Sequence, residues 1–263
     1  MAADILERIA ADKRIQIAEE KKNIPLEKMR EMAFATKGKL ADFAFEEALK
    51  KEEVSFICEV KKASPSKGVI AEVFPYVEIA KEYEKAGADC LSVLTEEKYF
   101  LGCDRYLQEI REVVNLPILR KDFTVDIYQI YQAKVIGADA VLLICALLDT
   151  DFMKECIKIC DELGLTALVE AHDEEEIRQA VLAGARVIGV NNRNLKDFTV
   201  DIHNSTRLRE CAPKGTLFVA ESGIQTREDV KAFEEEKVNA VLIGETLMRS
   251  ADKKQKLDEL KGI

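Results

Sequence analysis

The sequence contains no tryptophan, only two histidines and no long hydrophobic segment. Its longest uninterrupted apolar run, AVLLICALL at residues 140–148, has nine residues and is too short to cross a bilayer. The first eight residues already include charged side chains, so we expect no signal peptide. No G-x-G-x-x-G segment is present, which argues against a dinucleotide-binding sheet. These absences argue against a membrane protein and leave no tryptophan for any binding pocket.

Positive charge is also in deficit, because 39 lysine and arginine residues stand against 49 aspartate and glutamate residues, a net charge of −10. Non-specific nucleic-acid binding needs a basic face, so we expect no nucleic-acid partner. A local group of lysines can still hold a small anionic molecule, and such a substrate is the partner that we expect. We expect a monomer and leave an oligomer open, because the sequence does not define the oligomeric state.

The seven cysteines lack the Cys-x-x-Cys spacing of zinc sites, and most of them lie in apolar runs. Cys156 and Cys160 are four positions apart on a predicted helix. Two thiolates alone make a poor metal site, so we expect both side chains to pack in the core. This cysteine pattern indicates a reduced, cytoplasmic compartment.

The sequence does contain a repeated alternation of helical patterns and short apolar runs. Turns such as KAGAD (85–89) and VIGAD (135–139) place glycine where a helix ends, and a continuous apolar run follows each. Such runs are typical of parallel strands that are buried on both faces. The predicted strands lie near residues 54–60, 90–95, 117–121, 140–146, 166–170, 187–191, 216–221 and 240–244. The predicted helices cover residues 77–85, 104–114, 127–136, 151–163, 174–182, 204–211, 227–236 and 247–260.

Eight strands that alternate with eight helices predict an α/β fold, a (β/α)8 TIM barrel, with a doubly wound open sheet as the alternative. Residues 1–50 precede the first strand and begin with the charged helical pattern ILERIAADKRIQIAEEKK. We expect an N-terminal helical extension of residues 1–50 that caps one end of a barrel of residues 51–263, the whole forming a single domain. A helix that packs between domains or in a dimer is the alternative.

Polar side chains end most of the predicted strands, although buried charges are costly unless they are paired or used. In such barrels the chemistry lies at the carboxyl ends of the strands. Glu59 and Lys61 are two positions apart on one strand, so both point to the same side. If that side is the barrel interior, they meet Lys121, Glu170 and Glu221. Facing ammonium and carboxylate groups shift one another's pKa values, which suits general acid and base catalysis.

Glycine follows the last two predicted strands, in ESGI (221–224) and IGET (243–246). Glycine at these positions lets backbone amides face an anion, and barrels of this kind often bind phosphate there. The sequence therefore predicts a phosphate-binding site at this part of the rim.

Seven segments carry a resemblance to a known family: CEVKKASPSKG, LSVLTEEKYFLG, LRKDFTVD, LVEAH, IGVNNRNL, VAESGI and VLIGETLM. In order and spacing they resemble indole-3-glycerol-phosphate synthase, and the E-x-K-x-x-S-P-S motif is highly specific. The resemblance covers nearly the whole chain. It implies a carboxy-lyase of tryptophan biosynthesis that needs no metal or organic cofactor. Because the chain ends after the eighth helix, we expect a free synthase without a fused isomerase.

The resemblance also implies residue roles. Lys121 is expected to be the general acid of ring closure, and Glu170 the acid/base of the later dehydration. Lys61 is expected to hold the substrate carboxylate, with Glu59 orienting Lys61 and the sugar hydroxyls. Which of the two lysines donates the proton at each step is left open, because either amine could reach. The polar floor would be completed by Asn191 and Glu221. The phosphate and sugar would be bound by Ser64, Arg193, Ser222, Gly223, Gly244 and Glu245. The apolar wall for the aromatic ring would comprise Phe100, Phe123, Leu195 and Phe198.

Two other classes of protein remain as alternatives. One is another phosphosugar barrel enzyme, of the phosphoribosylanthranilate isomerase or ribulose-phosphate epimerase type. An isomerase is expected to lack two strand-end lysines, and an epimerase to need metal ligands, for which only His172 and His203 are available. The other is a non-catalytic barrel scaffold, which predicts gaps in the polar set. For His172 itself we expect a neutral or solvated role.

Overall fold

The computed structural model describes residues 5–194 and 198–263. Within these residues eight parallel strands close into a barrel, each paired with its neighbours in the chain and the first paired with the last. The barrel strands are β1 (Ser55–Val60), β4 (Cys90–Leu94), β5 (Ile118–Lys121), β6 (Ala140–Ile144), β7 (Thr166–Ala171), β8 (Val187–Asn191), β9 (Leu217–Glu221) and β10 (Ala240–Ile243). A short antiparallel hairpin of β2 (Ala63–Ser64) and β3 (Gly68–Val69) follows β1. The predicted TIM barrel is confirmed.

Helices connect the strands and surround the barrel. Those of the first fifty residues are α1 (Ile5–Asn23), α2 (Leu26–Ala35) and α3 (Ala44–Ala48). Those that follow are α4 (Tyr76–Lys85), α5 (Asp104–Val113), α6 (Tyr128–Ile136), α7 (Thr150–Leu163), α8 (Glu174–Ala183), α9 (His203–Arg209), α10 (Arg227–Glu235), α11 (Glu245–Arg249) and α12 (Lys253–Lys261). Among the described residues, no helix combines the length and the apolar character that crossing a membrane requires.

The last predicted helix, residues 247–260, is wrong as a single element, because the structure divides it into α11 and α12. Ser250 has an extended backbone with φ −73° and ψ 134°, which ends α11. The Asp252 carboxylate then accepts a hydrogen bond from the Gln255 backbone N–H and caps α12. A side-chain oxygen that satisfies a free N–H in this way is a common start of a helix. The break places α11 on its own at the rim of the barrel.

Strand residues alternate between the barrel interior and the layer of helices, as the period of two requires. The interior near the amino ends of the strands is apolar and includes Ile57, Cys90, Leu119, Leu142, Leu168, Val187, Leu217, Val219 and Leu242. The alternate residues pack outward against the helices in a second core. This second core contains both Cys156 and Cys160 on α7, as predicted. The apolar interior forms a floor, above which the interior positions become polar.

The first fifty residues contact both ends of the barrel, whereas the sequence predicted a cap on one end. Near the amino ends of the strands, the Glu46 backbone N–H of α3 donates to Thr166 Oγ1 at 3.2 Å. Phe45 and Leu49 join the apolar floor there and are fully buried. Along the side of the barrel, α2 packs against α6.

The helix α1 lies over the opposite end, where Leu6 and Ile9 face a cavity at the carboxyl ends of the strands. A buried ion pair joins α1 to the barrel, since Lys13 Nζ lies 2.9 Å from Asp122 Oδ1 and both side chains are 2% exposed. The Tyr99 hydroxyl donates to Asp12 Oδ2 at 2.6 Å, which adds a second connection. These contacts fix α1 as a roof over the cavity.

The position of Phe45 at the barrel floor leads to a stability prediction. Phe45→Ala should lower the free energy of unfolding by about 3–5 kcal/mol, because it removes buried surface and leaves a cavity in a packed interior. Chemical denaturation measures the change. Phe34→Ala, at a ring that is 50% exposed, is the matched control and should cost clearly less. Equal losses in the two variants would contradict the packing of α3 into the barrel.

Candidate active site

A cavity of about 740 Å³ opens at the carboxyl ends of the barrel strands. Its floor is the polar layer of the barrel interior, and its roof is α1. All of the sequence-predicted site residues that lie within the described part of the chain line this cavity. Leu195 lies outside the described residues.

At the centre of the cavity one ammonium group is shared by two carboxylates. Lys121 Nζ, at the end of β5, lies 2.8 Å from Glu221 Oε2 on β9 and 3.1 Å from Glu170 Oε2 on β7. The side chains of the two glutamates are 2% and 3% exposed. Asn191 Nδ2 donates to the other oxygen of Glu170 at 3.4 Å. The predicted meeting of these side chains across the interior is therefore present in the structure.

The shared ammonium makes the two carboxylates unequal. Burial by itself would raise the pKa of Glu170, but Lys121 and His172 outweigh it and hold that pKa below its ordinary value. Burial also raises the pKa of Glu221, and here Lys121 compensates only in part while Glu170 adds repulsion, so the pKa is about 7. Burial alone would lower the pKa of Lys121, but the three carboxylates of Glu221, Glu170 and Glu59 raise it. Near neutral pH, Glu170 is ionised and Lys121 is an ammonium.

A second ion pair lies beside this cluster on β1. The Lys61 ammonium contacts the Glu59 carboxylate directly, and Ser92 Oγ donates to Glu59 Oε2 at 3.3 Å. The backbone of Gly244 packs against the pair so closely that any side chain at this position would collide with both Glu59 and Lys61. Any residue larger than glycine here would therefore have to displace the ends of the Glu59 and Lys61 side chains.

The rim beside β9 and β10 carries the two glycine turns. Ser222 and Gly223 both have left-handed backbones, with φ 69° and 83°. Buried Asn192 supports this turn, because its Nδ2 donates to the Ser222 carbonyl at 3.1 Å while its Oδ1 accepts from Ser205 Oγ at 2.7 Å. The Glu245 carboxylate is engaged by Lys67, at 3.5 Å, and by Arg249, at 3.1 Å. The Glu245 carboxylate is thus already paired, and the Gly244–Glu245 turn can face the cavity through its backbone.

The apolar side of the cavity is formed under α1. The rings of Phe100 and Phe123 lie 5.9 Å apart between centroids, and Phe198 completes the described part of this wall. The buried Glu96 carboxylate accepts the backbone N–H groups of Tyr99 and Phe100 at 2.7 and 2.9 Å, which holds the loop that carries Phe100.

His172 differs from the neutral or solvated residue that the sequence predicted. Its ring is only 21% exposed and lies between two carboxylates, with Nε2 3.6 Å from Glu170 Oε1 and Nδ1 3.3 Å from Glu176 Oε2. Burial opposes the charged form, but the Glu176 and Glu170 carboxylates together raise the pKa of His172. The sequence shows that His172 follows Glu170 by two positions, but it does not show that the ring lies between Glu170 and Glu176, because Glu176 belongs to the next helix.

Other residues of the site were also missed from the sequence. Ser92 is an interior position of β4, and the period of two could have identified it from Cys90. Asn192 and the α1 residues Leu6 and Ile9 act through segments that are distant in the chain, so no local pattern marks them. Glu96, by contrast, binds backbone N–H groups only three and four positions further on. Within residues 5–194 and 198–263, no group of three or more histidine, cysteine or acidic side chains is arranged to hold a metal ion.

A TIM barrel whose cavity joins paired ammonium and carboxylate groups to two glycine turns defines an acid–base enzyme that acts on a small anionic molecule. The family model for indole-3-glycerol phosphate synthase matches residues 6–260, and the chain belongs to this family. It is a carboxy-lyase of tryptophan biosynthesis, as the sequence motifs predicted.

Relatives named indole-3-glycerol phosphate synthase match along nearly their whole length. The protein of Ruminiclostridium cellulolyticum is 57% identical, with 98% of this chain and 99% of the relative covered. That of Endomicrobium trichonymphae is 52% identical over the same shares. Among solved structures, a 3-hexulose-6-phosphate synthase aligns with a TM-score of 0.65 at 13% identity, covering 80% of this chain and 99% of that one. At that identity the likeness supports the barrel fold alone.

The pKa of Glu221 leads to a prediction about stability and pH. Its pKa rises from 4.5 to about 7 on folding, so between these values the folded state keeps a proton that the unfolded state has lost. Stability should therefore fall as the pH rises through this window. Glu221→Gln cannot titrate, so the wild type should lose stability relative to this variant from about pH 4.5 to about pH 7. Titration of Glu170 lies below this window, because its pKa is lowered.

Denaturation of both proteins at several pH values measures this difference. Glu236→Gln removes one exposed carboxylate and controls for the loss of a negative charge. If the stabilities of the wild type and Glu221→Gln change in parallel with pH, the proposed proton on Glu221 does not exist.

Proposed function

We propose that the chain converts 1-(2-carboxyphenylamino)-1-deoxyribulose 5-phosphate into indole-3-glycerol phosphate, carbon dioxide and water. One observation carries this proposal: Lys61, directly after β1, and Lys121, at the end of β5, face the same cavity, each paired with a carboxylate. The substrate has a carboxylate at its aromatic end and a phosphate at its sugar end. A cavity with ammonium groups at its floor, glycine turns at one rim and phenylalanines at the other complements that distribution.

Ring closure needs an acid, because the aromatic carbon attacks the ketone and its oxygen must take up a proton. Lys121 enters this step as an ammonium, since the surrounding carboxylates raise its pKa. Lys61 holds the substrate carboxylate next to the reacting carbon, and Glu59 orients the lysine through the ion pair. Carbon dioxide then leaves, and the electron pair that it leaves behind restores the aromatic ring.

Dehydration needs a base as well as an acid. Glu170 is ionised near neutral pH because Lys121 lowers its pKa, so it can take a proton from the forming ring. The hydroxyl leaves as water after protonation. Asn191 and Glu221 complete the polar floor and fix the orientation of the Glu170–Lys121 pair.

Substrate binding is divided between the two sides of the cavity. The phosphate lies against the turns of Ser222–Gly223 and Gly244–Glu245, the last acting through its backbone amide, with Arg193 and Ser64 adding polar contacts. The anthranilate ring lies against Phe100, Phe123 and Phe198, with Leu195 as the expected fourth member. Left-handed backbone at the Ser222 turn and the absence of a side chain at Gly244 support this placement.

Four further properties are proposed from the sequence. The chain acts as a monomer in the cytoplasm on a small anionic substrate, without a nucleic-acid partner. Residues 1–50 and 51–263 form one domain, which the contacts of α1 and α3 with opposite ends of the barrel support. Size-exclusion chromatography, cell fractionation and the number of unfolding transitions test these points.

The function is tested by giving the purified protein the carboxyphenylamino sugar phosphate and following indole fluorescence. Product formation is expected. Phosphoribosylanthranilate is the comparison substrate, and its isomerisation without indole formation would favour the isomerase alternative. A folded protein that acts on neither substrate would contradict the proposal and favour the scaffold.

Lys121→Ala should lower kcat by at least about a hundredfold, because it removes the acid of ring closure. Binding of the product to the variant, followed by fluorescence titration, should persist. Lys62→Ala is the matched control, since this neighbour of Lys61 does not line the cavity. A loss of less than tenfold for Lys121→Ala, a barrier change below about 1.4 kcal/mol, would show that Lys121 is not the essential acid.

A further inference from the structure

The proposed reaction consumes one proton in each turnover. The ketone oxygen leaves as water and takes up two protons, whereas the forming ring returns only one, from the carbon next to nitrogen. The substrate carboxylate departs as neutral carbon dioxide, so it returns none. Solvent must therefore supply one proton per cycle to a site whose two central carboxylates are 2% and 3% exposed.

His172 joins this buried site to the surface. On the inner side its Nε2 lies 3.6 Å from Glu170 Oε1, and on the outer side its Nδ1 lies 3.3 Å from Glu176 Oε2. The exposed fraction of the side chain falls from about a fifth at His172 and Glu176 to 3% at Glu170. The three side chains thus lie in a row from the partly exposed surface to the floor of the cavity, with a 3.6 Å step between His172 Nε2 and Glu170 Oε1.

The charges around the ring favour a bound proton. Carboxylates face it from three elements, with Glu170 on β7, Glu176 on α8 and Glu221 on β9. The ammonium of Lys121 on β5 is already engaged by the carboxylates of Glu170 and Glu221. Among the described residues, His172 Nε2 is buried without a hydrogen-bond partner, although it points toward Glu170. Imidazole is the side chain that gains and releases protons most readily near neutral pH.

We propose that His172 relays the proton from solvent to Glu170, held in place by Glu176. This inference rests on the proposed function. In the imidazolium form, the N–H bond at Nε2 breaks and an O–H bond forms on Glu170, which leaves a neutral imidazole and a protonated carboxyl. Glu170 passes this proton to the hydroxyl that leaves as water, and its carboxylate then takes the proton from the ring and returns it to Lys121. A proton from water at the exposed side of the ring then restores the imidazolium. No electron transfer is involved, and the one proton taken from solvent equals the one that the reaction consumes.

If the ring had a purely structural role, that role would be to hold the loop after β7 in place. The loop after β7 is already fixed without the imidazole, because the His172 backbone N–H donates to Glu176 Oε2 at 2.7 Å. The Asn204 amide also donates to the His172 carbonyl at 3.3 Å. A change of the side chain therefore leaves both backbone contacts in place and removes the titrating group alone.

The test compares His172→Gln and His172→Ala with the wild type, using the full chain and the carboxyphenylamino sugar phosphate. Glutamine keeps a polar side chain that cannot carry a proton. We expect kcat to fall by roughly ten- to a hundredfold, at or below the usual effect of removing a proton-transfer group. Added imidazole should restore part of the rate of His172→Ala in proportion to its concentration. His203→Gln, at an exposed histidine of α9, is the matched control and should behave as the wild type does with and without imidazole.

Each other outcome is informative. If His172→Gln turns over at the wild-type rate, the relay is wrong while the proposed function stands. If both variants are slow but folded by circular dichroism, and imidazole has no effect, the ring has a structural role and the relay is overturned. A wild type that forms no indole product overturns the proposed function and the relay together.

Discussion

The ammonium group of Lys121 holds the buried part of the site together. It is shared by Glu170 and Glu221, two carboxylates that have left water almost completely. Charges buried to this degree are tolerated only when partners are close, and loss of one partner leaves the others uncompensated. Gly189 makes the arrangement possible, because a side chain there would collide with the Glu221 carboxylate. The neighbours of each carboxylate determine which has the lower pKa, because Lys121 and His172 lower that of Glu170 while Glu170 itself adds repulsion at Glu221.

Rigidity of the site comes from carrying these groups on strands. Lys121, Glu170 and Glu221 lie at or near the carboxyl ends of their strands. The interior positions that precede them on the same strands are packed apolar side chains, Leu119, Leu168 and Val219. A group on a packed strand loses little further freedom when the substrate binds, and its field is already oriented for the reaction. The loops add adaptable parts, namely the hairpin after β1, the glycine turns and the phenylalanine wall. Most of the groups proposed for the chemistry therefore lie on strands, and most of those proposed for substrate binding lie on loops.

The barrel and its polar floor could be predicted because both depend on local spacing. Apolar runs separated by glycine turns define the strands, and a period of two puts Glu59 and Lys61 on one side. The parts that could not be predicted depend on contacts between distant segments. Lys13 is buried against Asp122, 109 positions away, whereas Ile15 of the same helix is 65% exposed, the reverse of what hydrophobicity indicates. Likewise, no local pattern tells that Asn192 supports the turn at Ser222 or that α3 closes the barrel floor.

The charge balance at the floor of the cavity is consistent with a reaction that takes up a proton. In the described part of the barrel interior, the carboxylates of Glu59, Glu170 and Glu221 outnumber the ammonium groups of Lys61 and Lys121. An anionic group that reaches this floor meets an excess of negative charge unless protons enter with it. Two groups next to Glu170 can carry them, since the pKa of Glu221 is about 7 and that of His172 is raised. Protons on these two groups reduce the repulsion, and the proposed relay passes the proton of His172 to Glu170 in each turnover. Substrate binding and turnover therefore both require protons at this part of the site.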